Sequence, residues 1–351
     1  MTTAKDNRID LIRPDAPPLV RGPHRIGVTT RTIVDRGRLG LTGGHADRPM
    51  TVELWYPTNA VGEGGSYHTL LRDGYRRVVL HGSAVRDVDA LPGEWPLVIL
   101  SHGYPGNRHL MSHLGEALAS HGYRVASIDH PGSTYDDKAP FAETLWHRPL
   151  DQQAVARFLG GDHAIVGYSM GGYGALISGG AGISAAALDL VSADEAEIYA
   201  RHRTPEVDPA LKAIIPIGPW GRQKAVWDDV GLAGLSVPML IMSGSHDDIS
   251  GYANGMRLIF DEAAGERWLL TFHHAGHNAA APCPAPVESW APSPHLDFVP
   301  FEHYADAVWD SVRMNNIAAH VAAGFLARFL KGEGDGPDVH GLAGVSLDHR
   351  H

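Results

Sequence analysis

A chain of 351 residues, 44% hydrophobic and 20% charged, holds enough apolar material for one enlarged globular domain and excludes a fibrous or wholly disordered protein. A formal net charge of −11, with no Lys/Arg run interleaved with aromatics, argues against a nucleic-acid partner. The one cysteine, Cys283, excludes an intrachain disulfide and a metal site built from several thiolates, and reads as a bystander thiol.

In chain order, residues 1–24 read as a polar N-terminal arm in which Lys5, Asp6, Arg8, Asp10, Arg13 and Asp15 interrupt every apolar run. No signal-peptide core is expected there, and no stretch approaches the ~20 apolar residues of a membrane span, so a cytoplasmic protein without membrane association is expected. Short β-branched runs predict strands at Met50–Tyr56, Leu97–Ser101, Tyr123–Ile128, His163–Gly167, Leu211–Ile217, Val237–Met242 and Trp268–Phe272. Several are apolar almost throughout, as strands covered on both faces should be. Helical periodicity predicts Arg108–His121, Leu150–Leu159, Met170–Gly179, Tyr252–Ala264 and a long final helix near His303–Leu330. The alternation predicts an α/β fold with a mostly parallel central sheet flanked by helices, spanning 25–335. Insertions at 181–209 and 279–300, the latter with six prolines, are expected to be lid-like, and 336–351 reads as a C-terminal tail.

The sharpest motif is Gly167-Tyr168-Ser169-Met170-Gly171-Gly172, directly after the strand AIVG and before the helical run YGALI. This is the setting of a Gly-x-Ser-x-Gly nucleophile elbow, whose tight turn lifts the serine hydroxyl above the sheet. A hydroxyl needs a base and the base an orienting carboxylate, in the chain order Ser, acid, His for an α/β-hydrolase fold. The strand ending in Ser243-Gly244-Ser245-His246-Asp247-Asp248 supplies the acid, with Asp247 favoured over Asp248 and Asp189 as a more distant rival. The strand ending in His273-His274-Ala275-Gly276-His277 supplies the base, with His277 favoured over His273 and His274. Two amides are needed for the oxyanion: Met170, after the nucleophile, and Tyr104, in the turn His102-Gly103-Tyr104-Pro105-Gly106. The pair His273/His277 has no third ligand in its neighbourhood, so neither metal nor cofactor is expected.

These residues carry a resemblance. VELWYP, SHGYPG, SIDHPGS, HRPLD, GYSMGG, LKAIIPIGPW, VPMLIMSGSHDD, AGH and FLARFLKG resemble the bacterial dienelactone-hydrolase-like serine hydrolases of the α/β-hydrolase superfamily, and near the site the cutinase-like polyester hydrolases and platelet-activating-factor acetylhydrolases. The resemblance implies an acid at Asp247, a pocket flanked by Tyr104 and Met170, and a substrate-packing aromatic at Trp220. Dienelactone hydrolases use cysteine where this chain has Ser169, and secreted polyester hydrolases usually carry a signal and a C-terminal disulfide. The expectation is a serine esterase acting on small or medium soluble carboxylic esters. An amidase, lactonase, thioesterase or polyester hydrolase with the same triad, or a non-hydrolytic acyltransferase or lyase, stands as the alternative. Oligomeric state is not legible.

Overall fold

The computed structural model describes residues 6–351. The strands are β1 (Arg25–Leu39), β2 (His45–Thr58), β3 (Ser66–Leu70), β4 (Arg77–His81), β5 (Val85–Arg86), β6 (Leu97–Ser101), β7 (Arg124–Ile128), β8 (His163–Tyr168), β9 (Leu211–Ile217), β10 (Met239–Gly244), β11 (Arg267–Phe272) and β12 (Val345–Arg350). The helices are α1 (Ser112–Ser120), α2 (Phe141–Leu159), α3 (Met170–Ser178), α4 (Ala196–Tyr199), α5 (Asp229–Ala233), α6 (Arg257–Glu262) and α7 (Ser311–Leu326).

Ten strands form one sheet in the order β12-β11-β10-β9-β8-β6-β7-β2-β1-β5, while β3 and β4 pair as a separate hairpin. From β7 to β11 the neighbours run parallel, and β2 and β12 join antiparallel on either side. The central strands β6 to β11 are buried on both faces because they are apolar at most positions, and alternate residues feed two separate cores. In β6, Val98 and Leu100 meet Leu114 and Leu118 of α1 and Ile317 and Val321 of α7 on one side. Leu97 and Ile99 meet Leu145 of α2, Leu176 of α3 and Ile259 of α6 on the other. Chain order reverses around β6, with β7 on one side and β8 on the other, and in open α/β sheets the crevice beyond the strand ends at such a point is where ligands bind.

Several boundaries differ from the sequence expectation. Helix α2 starts at Phe141, nine residues before the expected Leu150, and runs through Pro149. Proline removes the N–H that would bond the carbonyl of Leu145, and the hydroxyl of Tyr173 donates to that carbonyl instead, at 3.0 Å. The stretch 336–351, expected as a tail, contains β12. Its alternation is legible only beside the strand it joins: Val345 and Leu347 pack on the core, while Asp348 and Arg350 point the other way to ion-pair with Arg257 and Asp261 of α6. The arm is attached as well: Ile9 is buried, and its N–H donates to the carbonyl of His81 at 2.9 Å; residues 1–5 of that expectation lie outside the described residues.

Both insertions buttress the core. In 181–209, Tyr199 bonds the Tyr173 hydroxyl at 3.0 Å and His202 bonds the carbonyl of Trp146 at 3.1 Å, tying the segment to α3 and α2. In 279–300, Cys283 is buried and its N–H donates to the carbonyl of Leu110. Among the described residues neither segment hydrogen-bonds to Ser169, Tyr104 or Met170. No helix among the described residues is long and apolar enough to cross a membrane.

Candidate active site

Ser169 follows β8 at φ 52°, ψ −108°, a conformation that costs a non-glycine residue about 1–3 kcal/mol and persists only when its surroundings over-determine it. Here they do. The Ser169 N–H donates to the Ile217 carbonyl at 2.8 Å, and its own carbonyl accepts from Trp220 and Tyr173 at 3.1 and 3.0 Å. Helix α3 leaves the elbow so close to β6 that a Cβ at Gly171 would sit 1.9 Å from the Ser101 carbonyl oxygen.

The Ser169 hydroxyl lies 3.1 Å from Nε2 of His277, and Nδ1 of His277 lies 2.9 Å from Oδ2 of Asp247. A carboxylate only accepts, so Nδ1 carries the proton and Nε2 is the acceptor for the hydroxyl. Asp247 is 4% exposed, and its other oxygen accepts the Ile249 and Ser250 N–H groups at 3.0 and 2.8 Å. Gly218, at φ +48°, closes the floor beside this pair; a Cβ there would meet Asp247 Oδ2 at 3.2 Å and His277 Cε1 at 3.4 Å. The ring of His277 packs against that of Tyr168 at 5.2 Å. Tyr168 donates to Oδ1 of Asn278, whose amide donates to the carbonyls of Glu302 and Ala305. The rival acids are elsewhere: Asp248 is exposed beside Asp247, and Asp189 is exposed in the turn Ala186–Leu190. His273 and His274 are both exposed, and His274 stands edge-on to His246.

Met170 opens α3, so its N–H has no acceptor within the helix. Its side chain is 2% exposed and belongs to the core against which Tyr104, Phe141 and Trp220 pack. Because Ser101 pairs with Gly167, the turn after β6 lies beside the elbow, and a Cβ at Gly103 would be 3.5 Å from that of Ser169. The Tyr104 amide donates no hydrogen bond to the described residues. The ring of Tyr104 stands edge-on to Phe141 at 5.4 Å, and Phe141 edge-on to Trp220 at 5.2 Å, so three aromatic rings make one half-buried wall.

Sequence reasoning missed what holds this turn. Arg148 of α2, 1% exposed, donates to the His102 carbonyl at 2.5 Å, the Gly103 carbonyl at 2.7 Å and the Ser133 hydroxyl at 2.7 Å. These bonds draw the two carbonyls toward α2. Burial pushes the guanidinium down to about 9, which leaves it charged at neutral pH. Beneath it, Ser101 Oγ lies 2.8 Å from His130 Nε2, and His130 Nδ1 lies 3.0 Å from Asp151 Oδ2. Burial alone would raise Asp151, but Arg48 and the bonds from His130 and Arg48 hold it well below the usual carboxylate range. Burial and Arg148 push His130 down to about 3, so it is neutral. This second Ser-His-Asp chain has triad distances yet is entirely buried, so no substrate reaches it, whereas Ser169 is partly exposed. The signal was present in SHG, DHPG and HRPLD, where polar residues recur inside otherwise apolar elements.

The sheet order and the elbow at its switch point define an α/β-hydrolase fold. The family model for the alpha/beta hydrolase fold matches residues 96–178, from β6 to the end of α3. The chain is 30% identical over 160 residues to a cutinase, est2, of Thermobifida alba, covering 44% of this chain and 42% of that protein. It is 29% identical over 191 residues to cutinase est1 of the same organism, covering 52% and 53%. The chain thus spans about half the length of the curated relatives it matches. A solved ferulic acid esterase from Streptomyces cinnamoneus aligns over 99% of this chain and 100% of its own, with a TM-score of 0.69 at 19% identity, a likeness of fold.

Proposed function

We propose that the protein hydrolyses carboxylic esters of small or medium size through an acyl-enzyme on Ser169. His277, oriented by Asp247, takes the hydroxyl proton as Oγ attacks the ester carbonyl; the amides of Tyr104 and Met170 receive the oxyanion. The protonated imidazole returns the proton to the departing alkoxide, giving the alcohol and the acyl-enzyme. Water then repeats the sequence, with His277 as base, and releases the acid. The observation that carries this reading is the hydrogen-bonded chain Asp247–His277–Ser169 ending on a strained, partly exposed serine at the switch point of the sheet. No step calls for a metal or cofactor.

A polyester substrate is the second reading, favoured by the sequence likeness to cutinases and by the aromatic wall of Tyr104, Phe141 and Trp220 beside Ser169. The test is one substrate panel: p-nitrophenyl esters of increasing acyl length, a polyester film, lactones, amides and thioesters, with and without competing alcohols. Ser169→Ala should abolish turnover and fluorophosphonate labelling while the protein stays folded. Labelling retained on another serine would refute the mechanism, and film hydrolysis matching that of short soluble esters would select the second reading.

A further inference from the structure

At the edge of the sheet where β11 begins and β12 ends, at the opposite ends of the parallel strands from Ser169, three potential metal ligands converge. His349 on β12 and His351, one residue beyond its end, lie two apart, so continued alternation sets them on the same face of the sheet. Glu266 immediately precedes β11, whose register sets Arg267 opposite Arg350 and Trp268 opposite His349. Nε2 of His349 is 3.2 Å and Nδ1 of His351 is 3.6 Å from Oε1 of Glu266, and ligand atoms of all three lie within 4.8 Å of one another.

We propose that Glu266, His349 and His351 bind a divalent transition-metal ion of the zinc type, which fastens the edge strand β12 to β11. Ligand atoms placed tetrahedrally at about 2.0–2.1 Å from zinc stand about 3.3 Å apart, so two of these separations need little adjustment. Two imidazoles and a carboxylate suit zinc, nickel or copper and not calcium or magnesium, which take oxygen ligands. His349 is oriented in advance: its ring stacks on Trp268 at 4.2 Å with 5° between the planes. Arg328 donates to Oε1 of Glu266 at 2.9 Å, and Oε2 accepts no hydrogen bond among the described residues, so the carboxylate can ligate without releasing Arg328. The side chains are 34% (His349), 82% (His351) and 21% (Glu266) exposed, which lets an ion enter and leaves room for water as a further ligand. The rest of β12 is held by its ladder to β11 and by ion pairs to α6, so the ion adds to an existing attachment.

The test is calorimetric titration of Zn²⁺ into the full chain, prepared without an affinity tag of histidines, and into His349→Ala, His351→Ala, the double variant and Glu266→Gln. His273→Ala/His274→Ala serves as a control for the other exposed histidine cluster. One ion per chain is expected in the parent and control, with at least tenfold weaker binding in each single variant and none in the double variant. Saturating Zn²⁺ should raise the melting temperature of the parent and not that of the double variant, whose circular dichroism without metal should match the parent's. Absence of stoichiometric binding to the parent, or binding that survives in the double variant, overturns the proposal. Because Glu266 and His349 lie at the end of β11 opposite the His277 loop, ester turnover of the Glu266, His349 and His351 variants should equal the parent's, and its loss or retention does not enter the result.

Discussion

Asp247→Asn tests the proton logic of the site more sharply than removing the nucleophile. Oδ1 of Asp247 accepts two backbone N–H groups, from Ile249 and Ser250, and Oδ2 faces Nδ1 of His277. An asparagine here has one acceptor and one donor end. Turning its NH₂ toward Ile249 and Ser250 would set donor against donors and forfeit two hydrogen bonds, at about 1–3 kcal/mol each. The NH₂ is therefore driven toward His277, which must answer with an unprotonated Nδ1. The neutral ring then carries its proton on Nε2, which donates to Ser169 and can no longer receive the hydroxyl proton. In serine-protease triads this tautomer switch lowers kcat about ten-thousand-fold, equivalent to about 5.5 kcal/mol of barrier. The assay is steady-state hydrolysis of p-nitrophenyl acetate at pH 7 to 9, alongside the exposed neighbour Asp248→Asn, which should behave as the parent. An Asp247→Asn enzyme that keeps a tenth of the parent kcat, or an equal loss in Asp248→Asn, would refute the reasoning.

Arg148→Lys keeps a cation but not the fork that spans the His102 and Gly103 carbonyls; kcat should fall about 10- to 100-fold with KM within twofold, the signature of an oxyanion amide displaced from its transition-state position. A kcat equal to the parent's would show that the turn holds itself. Burial, assisted by Arg148 at His130 and Arg72 at His303, pushes His113, His130 and His303 down to about 3. Unfolded histidines take up protons as pH falls through about 6.5, so the unfolded state binds more protons between there and pH 3, and stability falls as pH falls. From pH 6.5 to 5 each contributes a loss of roughly 1.5 kcal/mol, so the urea midpoint should drop steeply over that interval; a midpoint flat to pH 5 would contradict the neutral burial of these rings. Burial pushes the Cys283 thiol up to about 12, so a disulfide-exchange reagent should label it only in denaturant, and rapid labelling of the native protein would place it at the surface.

What could be read from the chain was whatever announces itself locally. The strands Leu97–Ser101 and Leu211–Ile217 are apolar at nearly every position, and the structure has them with the same ends. The elbow combined a strand, a glycine-spaced serine and a helix within a dozen residues. Asp247 and His277 could be singled out because each follows an apolar strand, and the structure brings both to Ser169. Features that depend on distant partners were not legible. Helix α2 continues through Pro149 because Tyr173, 24 residues away, supplies the missing donor. Val345–Arg350 is a strand because β11 offers an open edge and α6 offers charges of the right sign. Arg148 lay outside the expected helix, and only the turn after β6 gives it a role. Phe141 enters the aromatic wall because α2 begins nine residues before the expected Leu150.

The place of β12 bears on when this protein becomes competent. The His277 loop hangs from β11, and His273, at the root of that loop, donates its N–H to the carbonyl of Gly344, just ahead of β12. During synthesis the serine and its elbow leave the ribosome more than 150 residues before β12 does, yet until β12 docks, β11 is an open edge strand and the root of the His277 loop lacks its bond to Gly344. A ribosome-bound chain stalled before Val345 would therefore hold the Asp247–His277–Ser169 chain on a sheet whose edge, beside the His277 loop, is still open. Under the proposed mechanism, the last tightening of the base-bearing loop waits for the docking of β12, a timing set by strand order.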